Sequence, residues 1–107
     1  MVSFSLVEKI RGAAEADKAV GRKIYTIFSA LGDTNRFLLF KFLLNHNGLC
    51  VSDVARIFSV SVSAASQQLK ILERCGLIER NRYGQRICYE VKKNDSLVQS
   101  VVHIIGV

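Results

Sequence analysis

"SVSVSAASQQLKILERCGLIER", residues 59–80, decides how this chain is read. Its first half is Ser, Ala and Gln, which are weak core formers, yet it runs into a strongly helical pattern. On a wheel of residues 62–75, Ala65, Leu69 and Leu72 form one apolar stripe suited to packing on a core. Ser63, Gln67, Lys70 and Arg74 fall at i, i+4, i+7 and i+11 as a continuous polar stripe, with Ser66 beside it. Ser61 is placed to cap this helix, and Gly76 to end it.

Downstream the period changes. "LIERNRYGQRICYEV", 77–91, alternates around Gly84 and reads as a hairpin. Ile87, Tyr89 and Val91 share one face; Arg86, Cys88 and Glu90 share the other. Upstream, Ser52 is expected to cap a short helix, "DVARIFSV", with Val54, Ile57 and Phe58 inward and Asp53 in its first turn. Residues 58–61 turn the chain. Two short helices joined by a tight turn and followed by a basic hairpin form a winged helix-turn-helix.

The flanks are helical too. Residues 3–19 place Leu6, Ile10, Ala13 and Ala14 at helical spacing, and 22–32 do so with Ile24, Ile27, Phe28 and Leu31, stopping at Gly32. Asp33 caps "TNRFLLFKFLLNHNG", which is apolar on most sides and reads as the buried centre. "LCV", 49–51, is a minimal strand. Residues 95–107 carry Leu97, Val98, Val101, Val102 and Ile105 as a wide apolar stripe. One small domain cannot cover both this helix and the first, which predicts a homodimer. The expected fold class is mainly α with a small β-hairpin, a winged helix-turn-helix dimerising through its terminal helices. It forms a single domain, 1–107: dimerisation helices at 1–20 and 95–107, the helix-turn-helix at 52–75 and the wing at 77–91.

Composition agrees. The 107 residues are 50% hydrophobic, with 15 Lys and Arg against 9 Asp and Glu and a net charge of +6. That balance favours an anionic partner: nucleic acid, an anionic membrane or an acidic protein. Between Lys70 and Lys93 seven basic residues face three acidic ones, so the excess is local to the second helix and the hairpin. No run of 18 apolar residues occurs, and charges appear within the first eight residues, so neither a membrane span nor a secretion signal is expected. Three cysteines without a CxxC predict a reducing cytoplasm. No Ser-His-acid set, phosphate loop or paired carboxylate points to an enzyme.

The polar stripe suits a DNA major groove. Small residues (Ser61, Ser63, Ala64) let a backbone approach closely; Ser63, Ser66 and Gln67 can read base edges, Gln bidentately to adenine. Lys70 and Arg74 would meet phosphates. At the wing tip Arg80, Arg82, Tyr83 and Arg86 suit phosphates or a narrow minor groove. The plainer alternatives are a solvated helix face and an edge hairpin kept soluble by charge. A winged module that binds protein or RNA is the rival of another class.

"FSALGDTNRFLLFKFLL" and "GLCVSDVARIFSVSVSAASQQLKILERCGLIERNRYGQRICYEV" resemble the ArsR/SmtB-type family of metal- and stress-responsive repressors over residues 22–92. The family's Ser, polar pair and Leu-Lys map onto Ser66, Gln67, Gln68, Leu69 and Lys70. The resemblance implies a homodimer that binds a double-stranded operator and is released by an effector. Two features depart from the pattern. Thr34 stands where the family often has Pro. The family's Cys-x-Cys metal motif is here Cys50-Val51-Ser52, one thiol and one alcohol, a poor pair for soft metals. The last helix offers Asp95 and His103, whose spacing does not match the family's other site. No metal site and no cofactor are therefore expected.

The cysteines are left with three readings. Cys50 is a packing residue, a residual ligand or a redox thiol; Cys75 is structural; Cys88, on the outward hairpin face beside Arg86, is the more plausible reactive thiol. A thiol-based redox switch on Cys88 or Cys50 is thus an alternative mode of control.

Overall fold

The computed structural model describes residues 3–106. The described residues fold into five helices and a small antiparallel sheet. Helix α1 spans Phe4–Leu31, α2 Thr34–Asn45, α3 Val51–Ile57, α4 Val62–Arg74 and α5 Ser96–Ile105. Strand β1 is Leu49–Cys50, β2 Ile78–Tyr83 and β3 Arg86–Val91, in the order β1-β3-β2. This is the winged helix-turn-helix the sequence predicts: α3 and α4 form the motif, and β2–β3 the wing. Met1, Val2 and Val107, which fall in the expected dimerisation segments, lie outside the described residues.

The two expected helices at 3–19 and 22–32 are a single 28-residue helix. Gly21 costs a helix only about 1 kcal/mol, and nothing there offers the chain another route. Good helix formers and the i,i+3 pairs Glu8–Arg11 and Glu15–Lys18 carry it through. Only Ile27 and Ala30 of α1 are buried. The first twenty residues of this helix stand clear of the body, and the molecule is 63 Å long but only 28 Å and 25 Å across.

Asp33 caps α2 as its sequence suggests, accepting from the Arg36 N–H at 3.1 Å. Phe40 and Leu43 lie at the centre of the core with Leu69, Leu72, Leu77, Ile78 and Tyr89. The start of α3 differs from expectation. Its cap is Cys50, not Ser52, and the helix begins at Val51. The Asp53 carboxylate reaches back to accept from the Cys50 N–H at 3.1 Å, so the first turn is closed one residue pair earlier. Val54 and Ala55 face the core, Phe58 is half-buried, and Ile57, expected inward, is 48% exposed because the helix ends there.

The wing closes through a two-residue turn, Gly84-Gln85, between Tyr83 and Arg86. Gly84 has φ 64°, a left-handed conformation that Gly adopts without penalty. β1 adds two further pairs to β3, Leu49 with Tyr89 and Cys50 with Cys88. That third strand overturns one reading. Cys88, expected on an exposed face, is buried because β1 and α3 cover it. Tyr89 and Val91 are buried as expected, and Ile87 is half-buried.

Candidate nucleic-acid interface

Helix α4 separates its two faces as its periodicity requires. Ala65, Leu69 and Leu72 are buried against the core. Ser63, Gln67, Lys70 and Arg74 are exposed, and Ala64 and Ser66 half-buried. The outer surface near the N-terminus of α4 therefore carries small hydroxyl, methyl and amide groups, with Val62 exposed beside them. Among the described residues neither Lys70 nor Arg74 has an ion-pair partner, so both charges are free for an anion. Arg74 sits at the far end of the helix, lining a cleft with Arg22, Lys23 and Lys92 between α1 and α5.

Two residues of this stretch have work inside the protein. The Ser61 hydroxyl accepts from the Ala64 N–H at 3.0 Å and caps α4. Ser61→Ala is expected to lower stability by about 1 kcal/mol, seen as a lower urea midpoint with an unchanged slope. Gln68 accepts from Arg36 at 3.3 Å, while Arg36 also donates to the Ala30 carbonyl at 2.7 Å. That bridge ties α1 and α2 to α4 and fixes the helix's rotation. It was not legible in the sequence, since Gln68 lies 32 positions from Arg36.

The wing arginines are exposed and each has an internal partner. Arg80 faces Glu73 at 3.7 Å, and Arg82 donates to the Gly84 carbonyl at 3.0 Å. Arg86 donates to both oxygens of Asp53 at 3.1 and 2.9 Å, linking the wing to the first turn of α3. Tyr83 is 57% exposed, its hydroxyl 3.5 Å from Glu90. Such surface ion pairs are worth about 0–1 kcal/mol.

The cysteines are not three separate thiols. Cys50 and Cys88, directly opposite each other in the β1–β3 ladder, form a disulfide. Cys75 is free, and its thiol donates to the Leu72 carbonyl at 3.1 Å. Burial pushes this thiol up, against the lowering effect of nearby backbone N–H groups and the Arg36 charge. Burial thus disfavours the thiolate at Cys75.

The donor sets for a family metal site do not converge. Cys50 is bonded to Cys88, and Ser52 is an exposed alcohol. Asp95 is occupied in capping α5, accepting from the Leu97 and Val98 N–H groups at 3.0 Å each, and His103 lies exposed near the other end of that helix. Among the described residues no three His, Cys, Asp or Glu side chains are grouped to hold a metal. No helix among them is long and apolar enough to cross a membrane.

This architecture, a small-residue helix held on a compact core beside a basic two-stranded wing, is that of a winged helix-turn-helix regulator. Residues 33–80 match the family of bacterial regulatory proteins called arsR. The HTH-type transcriptional regulator YgaV of Escherichia coli is 31% identical over 75 residues, covering 70% of this chain and 76% of that protein. The chain belongs to the ArsR family. The transcriptional repressor SmtB homolog of Synechocystis is 40% identical over 67 residues, 63% of this chain and 50% of that one. The cadmium resistance transcriptional regulatory protein CadC of Listeria innocua is 32% identical over 65 residues, 61% of this chain. That match spans 55% of CadC, so the chain spans about half the length of these two relatives. Among solved structures, reduced HlyU from Vibrio cholerae superposes with a TM-score of 0.70 at 23% identity, covering 85% of this chain and 93% of HlyU. The homodimeric winged helix-turn-helix domain of Mb0332 from Mycobacterium bovis does so with 0.71 at 21%, covering 82% of each. Both share the fold.

Proposed function

We propose that this chain is a sequence-specific DNA-binding transcriptional repressor that acts in the cytoplasm as a homodimer, without enzymatic activity. One observation carries the reading: α4 turns an exposed stripe of Ser63, Gln67 and Lys70 outward while its other face is locked into the core, beside a wing tipped with arginines. Ser63, Ser66 and Gln67 read base edges, with Ala64 allowing close approach. Lys70 holds the phosphate backbone, and Arg74 extends the basic stripe one turn further. Arg80, Arg82, Tyr83 and Arg86 grip the flanking DNA, giving up their internal partners for phosphates.

The two-fold assembly rests on α1 and α5. Phe4, Ile10, Val20, Tyr25 and Phe28 of α1, and Ile104 of α5, are each more than half exposed. Two recognition helices one DNA turn apart need a fixed two-fold, and apolar helices left uncovered by the body supply it. The dimerisation segments are accordingly 1–20, continued along α1, and 95–107, around the helix-turn-helix and wing. The relatives named for cadmium resistance bring no metal into this reading: the Cys50–Cys88 bond and the capping of α5 by Asp95 support a regulator without the family's metal sites.

Fluorescence anisotropy with labelled duplex DNA, RNA of the same sequence, and a salt series tests the reading. Duplex binding that weakens steeply with salt is expected. Binding to RNA alone, or to neither, would favour the protein- or RNA-binding rival. Gln67→Ala should lower discrimination by about 1–3 kcal/mol at one base pair. Equal loss on every duplex sequence would remove its base-reading role.

A further inference from the structure

We propose that the basic cleft between α1, the end of α4 and the start of α5 is a binding site for a small organic dianion: a phosphate monoester or dicarboxylate with a short apolar body. The cleft has a volume of about 530 Å³, within the roughly 300–1,000 Å³ usual for small-molecule sites. Its cations come from three separate stretches of the chain. Arg22 and Lys23 stand on α1, Arg74 at the end of α4, and Lys92 just beyond β3. The buried Ile27 and Val98 and the half-buried Leu97 also line it, an apolar base beneath a charged rim.

The fold gathers these four cations without neutralising them. Among the described residues none of the four has an ion-pair partner. Asp95 is the one carboxylate lining the cleft, and its Oδ1 already accepts from the Leu97 and Val98 N–H groups at 3.0 Å each. Four positive charges against one negative leave the concavity strongly cationic. Like charges drawn together there repel, and an anion between them removes that repulsion. Two of the four are guanidinium groups, whose planar fork matches a carboxylate or a phosphate. A dianion answers this excess better than a single charge, and the apolar base gives its organic body a surface to cover.

The rim is held in place by the backbone. The Lys92 N–H donates to the Leu77 carbonyl at 3.0 Å, and the Lys92 carbonyl accepts from the Asp95 N–H at 3.1 Å. The turn into α5 is thereby tied to the segment entering β2. Arg22 and Lys23 lie about one turn before Ile27, where α1 first meets the core.

Duplex DNA is a poor occupant. Arg74 is eleven residues beyond Ser63 on α4, about 16 Å along the helix axis. A duplex presents a convex row of phosphates, which suits protruding cations better than a recess with an apolar base. The site therefore stands whether or not α4 reads bases.

Calorimetric titration of the full chain tests it, at about 0.1 M salt, where charges more than about 10 Å apart are screened. Phenyl phosphate and isophthalate are the probes; inorganic phosphate carries charge alone, and benzyl alcohol the ring alone. At least one of the two organic dianions is expected to bind once per chain with a dissociation constant below about 1 mM. Which of them binds tighter separates phosphate monoesters from dicarboxylates. Inorganic phosphate should bind about tenfold more weakly for want of the apolar contact, and benzyl alcohol not measurably. Arg22→Gln and Lys92→Gln should each weaken the organic dianion about tenfold, the loss of one charged hydrogen bond. Lys41→Gln removes the same charge from an exposed position on α2 outside the cleft, and should bind like the parent. Circular dichroism checks the fold of each variant, and the comparison among probes needs none of them. No binding of either organic dianion, equal binding of inorganic phosphate, unchanged binding by both cleft variants, or equal weakening by Lys41→Gln would overturn the proposal. So would a loss of duplex affinity in Lys92→Gln with no probe bound by the parent, which would give the cleft to DNA.

Discussion

Leu69→Ala is expected to destabilise the fold by about 2–5 kcal/mol, the range for emptying a fully buried Leu site. Leu69 has no exposed surface and lies in the same cluster as Phe40, Leu43, Leu72 and Leu77. A domain of this size has only about 5–15 kcal/mol in hand, so the loss is a large share of the whole. Urea denaturation followed by circular dichroism reads it directly. Gln67, two positions earlier and exposed, should change stability by no more than about 0.5 kcal/mol when replaced by Ala. A Leu69→Ala loss as small as that would mean α4 is not held by its apolar face. The orientation assigned to its polar stripe would then be wrong.

The second large effect concerns DNA. In the double variant Lys70→Ala/Arg82→Ala, each lost phosphate contact should reduce the slope of log affinity against log salt by about 0.9, or nearly two in all. Both side chains are exposed; among the described residues Lys70 has no ion-pair partner and Arg82 is bonded to a turn carbonyl. Folding stability should therefore stay within about 0.5 kcal/mol per site of the parent. Affinity should fall alike on every duplex sequence, because phosphates carry no base information. An unchanged salt slope would show that the DNA lies elsewhere on the surface.

The local features of the site were written in the chain. The spacing of Ala65, Leu69 and Leu72 set the inner face of α4, Ser61 and Asp33 set two helix starts, and Gly84 set the wing turn, because each depends on residues within a few positions. The division into helices at 3–19 and 22–32 did not hold, since Gly21 between them weakens a helix without forbidding it. Ser52 misled, since Cys50 with Asp53 reaching back closes the first turn of α3 earlier.

What the sequence by itself determined is the class: helical and two-residue periods, caps and a local basic excess are short-range signals, and together they specify a winged helix-turn-helix. Only the tertiary structure decided the long-range partners. β1 lies across β3, which buries Cys88, bonds it to Cys50 and sets Arg86 on Asp53, while Arg36 reaches both α1 and Gln68. Arg36–Gln68, Asp53–Arg86 and Cys50–Cys88 join residues 32 to 38 positions apart. No periodicity runs over such distances; chain packing around a shared core brings them together.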